Sequence, residues 1–192
     1  MTTFYPSPKR LPKRLETADF TITPLLPAHV GLDHAALMDS IQLLRSWSGS
    51  PWPMDDFSIE DNMKDMHWHS EEHEERIAFT FTVLNPAEAY CLGCIYIKPI
   101  VEALEENPKL PVQQDGALVR FWIRDLPELQ SLNGRLLQTL QQWFMNEWDF
   151  TTVYYHCRAE HTVQVEQFKA GGLKEVAPFT MPTRGGQHIL FK

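Results

Sequence analysis

The sequence predicts a mixed α+β fold with a central sheet of about seven strands flanked by helices. Three observations carry this. Segments alternating apolar and polar residues are interleaved with segments of helical period, in the order β-α-α-β-β-β-α-β-α-β-β. That order is not a regular parallel βαβ series. The chain has 192 residues, the length of one domain, and 43% are hydrophobic, enough for a full core.

Residues 1–17 read as an extended arm, free or laid on the surface. Pro6, Pro8 and Pro12 remove backbone donors and restrict their neighbours, and Lys9, Arg10, Lys13 and Arg14 make the arm basic. Phe20 and Ile22 alternate with Thr21 and Thr23, a strand. Leu37, Ile41 and Leu44 recur at helical spacing and predict a helix over 30–45, with Asp33 near its start. Residues 46–57, rich in Ser, Gly and Pro, read as a loop that holds Trp47 and Trp52. A second helix runs from Ser58, a plausible N-cap, to about Glu75, with Ile59, Met63 and Met66 on one face.

Phe79, Phe81 and Val83 alternate with Thr80 and Thr82 in a strand over 77–84. A turn at 85–90 returns the chain through a strand at 91–98. Residues 99–116 contain Pro99, Pro108, Pro111 and Gly116 and read as an excursion. A strand at 117–124 precedes a helix at 128–147, in which Leu132, Leu136, Leu140, Trp143 and Phe144 form an apolar face. A strand at 151–157 and a short helix at 161–170 follow, stopped by Gly171 and Gly172. LKEVAPF and HILFK close the chain as strands.

Charge and composition exclude several classes. Seventeen Lys and Arg against 25 Asp and Glu give a net charge of −8, which argues against general binding to nucleic acid or an anionic membrane. No apolar run approaches the ~20 residues of a membrane span, and no apolar stretch follows the N-terminal charges as in a secretory signal. Three cysteines do not make a disulfide scaffold. A cytoplasmic protein is expected.

Several stretches resemble the GNAT (GCN5-related) N-acetyltransferase superfamily. FTFTVLNP…CLGCIYIKP resembles the family's second and third strands. ALVRFWIR followed by a long helix resembles its acyl-CoA-binding core, and VYYHCRAEHTVQVEQFKAGGLKEV its late strand, helix and ending. The resemblance covers roughly residues 18–192, a single GNAT-like acyltransferase domain after the 1–17 arm. It implies an α+β, α/β-like fold whose twisted sheet is mostly antiparallel. It also implies acetyl-CoA as cosubstrate, an amine of a small molecule or peptide as acceptor, and direct attack in a ternary complex. A homodimer is compatible with it. In such a fold the strand at 117–124 splays from that at 151–157, the acyl-pantetheine lies between them, and the pyrophosphate meets the N-terminus of the next helix.

Carried over by position, the cofactor candidates are Trp122, Ile123, Arg124, Ser131, Asn133, Gly134, Arg135, His161 and Phe168. The chain departs from the family twice. The phosphate loop's basic residue and two glycines are replaced by Glu128, Ser131 and Asn133, with Gly134 one place along. The place of the family's catalytic Tyr is held by Phe168, which has no proton to give. His161, in the place of a cofactor-contacting Asn, and Tyr155 are the catalytic candidates. A general base is not fixed by the sequence. These departures leave open a catalytically silent protein of the same fold that binds acyl-CoA or another ligand.

Residues 55–76 hold nine acids (Asp55, Asp56, Glu60, Asp61, Asp65, Glu71, Glu72, Glu74 and Glu75) against Lys64 and Arg76. In the resembling family this region walls the acceptor site, so an acidic wall beside aromatic rings would suit an amine. Trp47, Trp52, Asp55, Asp56, Tyr96 and Arg120 are the acceptor candidates; the alternative is a solvated helix face under a Trp lid. No metal site is expected. His69-x-x-Glu72-His73 matches an inverted zincin pattern but lacks a third ligand. Cys91 and Cys94, three apart in a flat strand, would point to opposite faces and pack in the core.

Overall fold

The computed structural model describes residues 4–129, 131–181 and 186–192. Gln130, within the predicted phosphate loop, and the tip of the arm at residues 1–3 lie outside them. The elements are β1 (Leu15–Glu16), β2 (Thr21–Pro24), α1 (Val30–Asp39), α2 (Ile41–Ser48), α3 (Ile59–Glu74), β3 (Phe79–Leu84), β4 (Cys91–Pro99), α4 (Val101–Leu104), β5 (Ala117–Ile123), α5 (Leu132–Glu147), β6 (Val153–Arg158), α6 (Thr162–Ala170), β7 (Glu175–Thr180) and β8 (Gln187–Phe191). One eight-stranded sheet runs β1-β2-β3-β4-β5-β6-β8-β7. Among the described residues β5 and β6 pair in parallel and every other ladder is antiparallel.

The sheet therefore has eight strands, one more than the alternation pattern reveals. The extra strand, β1, is two residues long at the sheet edge, too short to show a period. It belongs to the arm, which is laid on the body. Phe4 and Tyr5 donate backbone N–H bonds to Arg76 O at 3.0 and 3.1 Å. Tyr5 is buried beside Phe79 and Trp148 and its hydroxyl accepts from Asp149 N–H at 2.8 Å.

A second difference concerns the first helix. It breaks at Ser40, whose φ of −116° and ψ of 19° leave the helical region. It resumes as α2 and runs on to Ser48, so Trp47 is helical rather than in the loop. α2 stops at Gly49, with φ +69°, the left-handed conformation glycine adopts without a Cβ clash. α3 starts as its cap predicts: Ser58 Oγ accepts from Asp61 N–H at 3.1 Å.

The sheet is buried on both faces. On one, α5 and α6 cover Phe81, Ile95, Val119 and Phe121 with Leu136, Leu140, Trp143 and Phe168. On the other, α1, α2 and α3 cover Cys91, Cys94 and Trp122 with Leu37, Leu44, Trp47 and Met66. Two-sided burial explains why β3 and β5 are buried throughout.

Candidate functional site

Two clefts open on either side of Trp47. The first forms where β6 leaves β5. Their pairing covers only Ala117↔Val153, Leu118↔Tyr154 and Val119↔Tyr155, while β5 continues to Ile123 against β4. Side chains meet the freed edge: Phe121 O accepts from Trp47 Nε1 at 2.9 Å and from Gln164 Nε2 at 3.1 Å. Arg124 N–H donates to Leu92 O at 2.8 Å on β4. By the period of two, the Ile123 N–H points away from β4 into the opening and the Trp122 N–H points toward β4. The cleft holds about 830 Å³.

Of the predicted cofactor residues, Trp122, Ile123, Arg124, Ser131, Asn133 and His161 line this cleft. Gly134, Arg135 and Phe168 do not. Phe168 is fully buried against Phe121, Tyr155 and Phe191. Tyr155 lies in the same core, lines neither cleft, and burial pushes its hydroxyl well above the ordinary tyrosine range. The two arginines are engaged. Arg124 pairs with Asp39 and reaches Cys91 O at 3.4 Å. Arg135 pairs with Asp19 at 2.9 Å and donates to Ser131 Oγ at 2.8 Å. Ser131 thus spends its side chain on Arg135 rather than on the backbone of α5, whose first turn has no side-chain cap and no acid. A Cβ at Gly134 would meet nothing within 4 Å. His161, at the N-cap of α6, has its pKa lowered, first by burial, and stays neutral near pH 7.

The second cleft, about 240 Å³, lies under α1, α2 and α3. Trp47, Trp52, Tyr96 and Arg120 line it, as expected. Arg120 stacks 3.4 Å from the centre of the Trp47 ring and donates to Trp47 O. Asp55 and Asp56 do not line it; both are exposed, and Asp55 bonds Arg45 at 2.8 Å. The acids that reach this cleft are Asp33, Asp65 and Glu102. Burial raises the pKa of the first two.

His69 also lines the cleft, its Nδ1 3.0 Å from Glu72 Oε2 and 3.2 Å from Thr80 Oγ1, its ring 5.8 Å from Tyr96. His73, one turn on, packs on Phe79 and Phe81 instead, and burial lowers its pKa to about 4. Asp33 was not read as a site residue, Asp65 only as one of the nine acids at 55–76, and His69 only in the discounted zincin pattern. One signal was present: Asn62, Asp65, Met66 and His69 follow the i, i+3, i+4, i+7 pattern of a helix's inward face. Asp33 carries no local signal, because its neighbours come from β4 and α3.

No family model matches the chain, and no curated protein matches it. Solved structures do. The ribosomal-protein-S5-alanine acetyltransferase from Vibrio fischeri superposes with TM-score 0.72 at 13% identity, covering 94% of this chain and 95% of its own. The ribosomal L7/L12 α-N-protein acetyltransferase RimL, in complex with coenzyme A, gives 0.71 at 12% identity over 93% and 96%. A protein assigned to the GnaT acetyltransferase family from Bordetella pertussis gives 0.68 at 10% identity over 94% and 98%. At these identities the likeness speaks for the fold, and it joins the parted β5–β6 pair and the bare start of α5 to one conclusion: this chain has the fold of the GNAT acetyltransferases.

Proposed function

We propose that this protein is an N-acyltransferase that moves an acetyl group from acetyl-CoA to the amine of a small molecule or peptide. The observation that carries the reading is the backbone-lined opening between β5 and β6, which ends at the uncapped first turn of α5. The residues there fit the cosubstrate. Beyond Phe121, whose carbonyl accepts from Trp47 and Gln164, the strand edge at Ile123 offers hydrogen bonds to an extended pantetheine amide chain. Four unsatisfied N–H groups and the positive end of the helix dipole suit a pyrophosphate. Acetyl-CoA supplies an activated thioester, which a neutral amine attacks.

The Ile123 N–H is the donor for the thioester oxygen, because it alone of the pair Trp122 and Ile123 faces the opening. His161, neutral and on the cofactor side, holds a place from which a proton can reach the leaving sulfur. His69, on the acceptor side, serves as the base. A Glu72 carboxylate that accepts a hydrogen bond from the Nδ1–H keeps the proton on Nδ1 and leaves the Nε2 lone pair to accept one from the acceptor ammonium. Asp65 and the rings of Trp52 and Tyr96 suit a cation, beside the Lys98–Glu102 pair and the Arg120 guanidinium stacked on Trp47.

A second reading, a silent acyl-CoA or ligand binder, is favoured by one observation: Arg124 and Arg135, which could contact phosphates, are tied to Asp39 and Asp19. Calorimetry with acetyl-CoA, free CoA and ATP tests the binding claim. Acetyl-CoA is expected at micromolar strength, about −8 kcal/mol, with ATP much weaker. No binding at millimolar concentration overturns the acyltransferase reading and the acyl-CoA form of the second. Binding without turnover of any amine in a panel of small amines and peptides leaves the silent reading.

A further inference from the structure

The spacing of Cys91 and Cys94 separates their sulfurs only if β4 is a regular strand, and it is not. Leu84 pairs with Cys91 while Val83 pairs with Gly93, so Leu92 is an extra residue opposed by none. One extra residue turns a three-residue spacing into a same-face pair. Leu92 accordingly packs in the α5–α6 core, whereas Cys91 and Cys94 both face α1 and α3. The expectation of opposite faces is corrected by this bulge.

What the two sulfurs meet is a carboxylate. Asp33 of α1 is 4% exposed. Its Oδ1 lies 3.3 Å from Cys94 Sγ and 4.0 Å from Cys91 Sγ, and its Oδ2 accepts from Asn62 Nδ2 at 3.0 Å. The three ligand atoms all lie within 4.8 Å of one another. Among the described residues no arginine or lysine is bonded to this carboxylate; two thiols, weak donors, and one amide are its hydrogen-bond partners, with His69 and His29 farther off. Burying a carboxylate on such partners alone is costly.

The spacing fits a shared ion. Around a tetrahedral zinc, bond lengths of about 2.3 Å to sulfur and 2.0 Å to oxygen put sulfur and oxygen ligands roughly 3.5 Å apart and two sulfurs roughly 3.8 Å apart. Asp33, Cys94 and Asn62 also line the acceptor cleft, so an ion has a path in and one side of the cluster faces open space. We propose that Asp33, Cys91 and Cys94 form a site for one zinc ion, tying α1 to β4 with its fourth position open to the cleft. Zinc binding displaces the two thiol protons to solvent and leaves thiolate ligands. The proposal stands on these three residues and does not depend on acyl transfer.

The experiment uses the full chain without a histidine tag, stripped with a chelator and titrated with zinc or cobalt(II) alone. One equivalent of either metal should bind, cobalt should give a thiolate-to-metal charge-transfer band, and zinc should raise the melting temperature. Cys91→Ser and Asp33→Asn should each weaken zinc by roughly 100-fold or more and abolish the zinc-dependent rise in melting temperature. Cys157→Ser, whose thiol lies in the opposite core, should bind as the parent does. If Cys91→Ser fails to fold, Cys94→Ala and the cobalt spectrum of the parent chain decide the matter. A folded parent that takes up no cobalt with thiolate character, or binding unchanged in the cysteine variants, overturns the site and leaves a thiol–carboxylate cluster that only packs the core.

Discussion

The two clefts that meet at Trp47 are built from different materials. The opening between β5 and β6, proposed for the cosubstrate, rests on backbone: a strand edge without its neighbour and a helix start without a cap. The cleft under α1, α2 and α3, proposed for the acceptor, is made of side chains delivered by α1, α2, α3, β4 and β5, among them Asp33, Asp65, His69, Tyr96 and Arg120. Backbone groups keep their direction when the residue type changes, so the opening can keep its shape with Ser131 and Asn133 in place of glycines if it holds the proposed cosubstrate. Side-chain recognition does not tolerate them, so the acceptor cleft is where this chain should be particular.

Breaking the scaffold common to both clefts should have the largest effect. Gly93 lets β4 and β5 approach so closely that a Cβ there would meet Trp122 O at 2.0 Å. Gly93→Ala should therefore cost about 3 kcal/mol or more of stability, read by urea denaturation, and should weaken acetyl-CoA by displacing Ile123.

The next effect separates two histidines on one helix. His73 is half-buried against Phe79 and Phe81 with its pKa lowered to about 4, against an ordinary value near 6.5. Between those values the unfolded chain binds more protons than the folded one, so the contribution is full above pH 6.5 and is lost as pH falls toward 4. Its size is at most about 3 kcal/mol. His73→Phe should flatten that acid limb in urea melts at stepped pH, and an unchanged limb would place the sensitivity elsewhere. His69→Gln, by contrast, should leave stability nearly intact and lower kcat by 10²-fold or more, the usual scale of a general base.

Smaller effects test which acids matter. Asp65→Asn should raise the KM of an amine acceptor about tenfold, or 1.4 kcal/mol, with acetyl-CoA binding unchanged. The exposed pair Asp55→Asn and Asp56→Asn should move that KM by no more than about twofold, since rim charges are screened. If the ranking reverses, the acceptor approaches from the loop rather than through the cleft.

Much of the fold was legible because it rests on local rules. Alternation marks β3 and β5, the apolar stripe marks α5, and Ser58 marks the start of α3. β1 was not legible, because two residues show no period. The break at Ser40 was not, because Leu37, Ile41 and Leu44 keep their spacing across it. Six of the nine cofactor candidates line the first cleft, since strand order and helix position fix that geometry. The second cleft was only partly legible: Trp47, Trp52, Tyr96 and Arg120 line it, and of the nine acids counted at 55–76 Asp65 does, whereas Asp55 and Asp56 do not.

The sequence by itself determined the order of the longer strands and helices and their apolar faces, because each follows from periodicity along a short stretch of chain. Only the tertiary structure decided which charges are buried and what they meet. Asp33 joins Cys91 and Cys94 through a one-residue bulge, and His69 and His73 part company across one turn of α3. Such meetings depend on register and on contacts between residues far apart in the chain, and no local pattern records them.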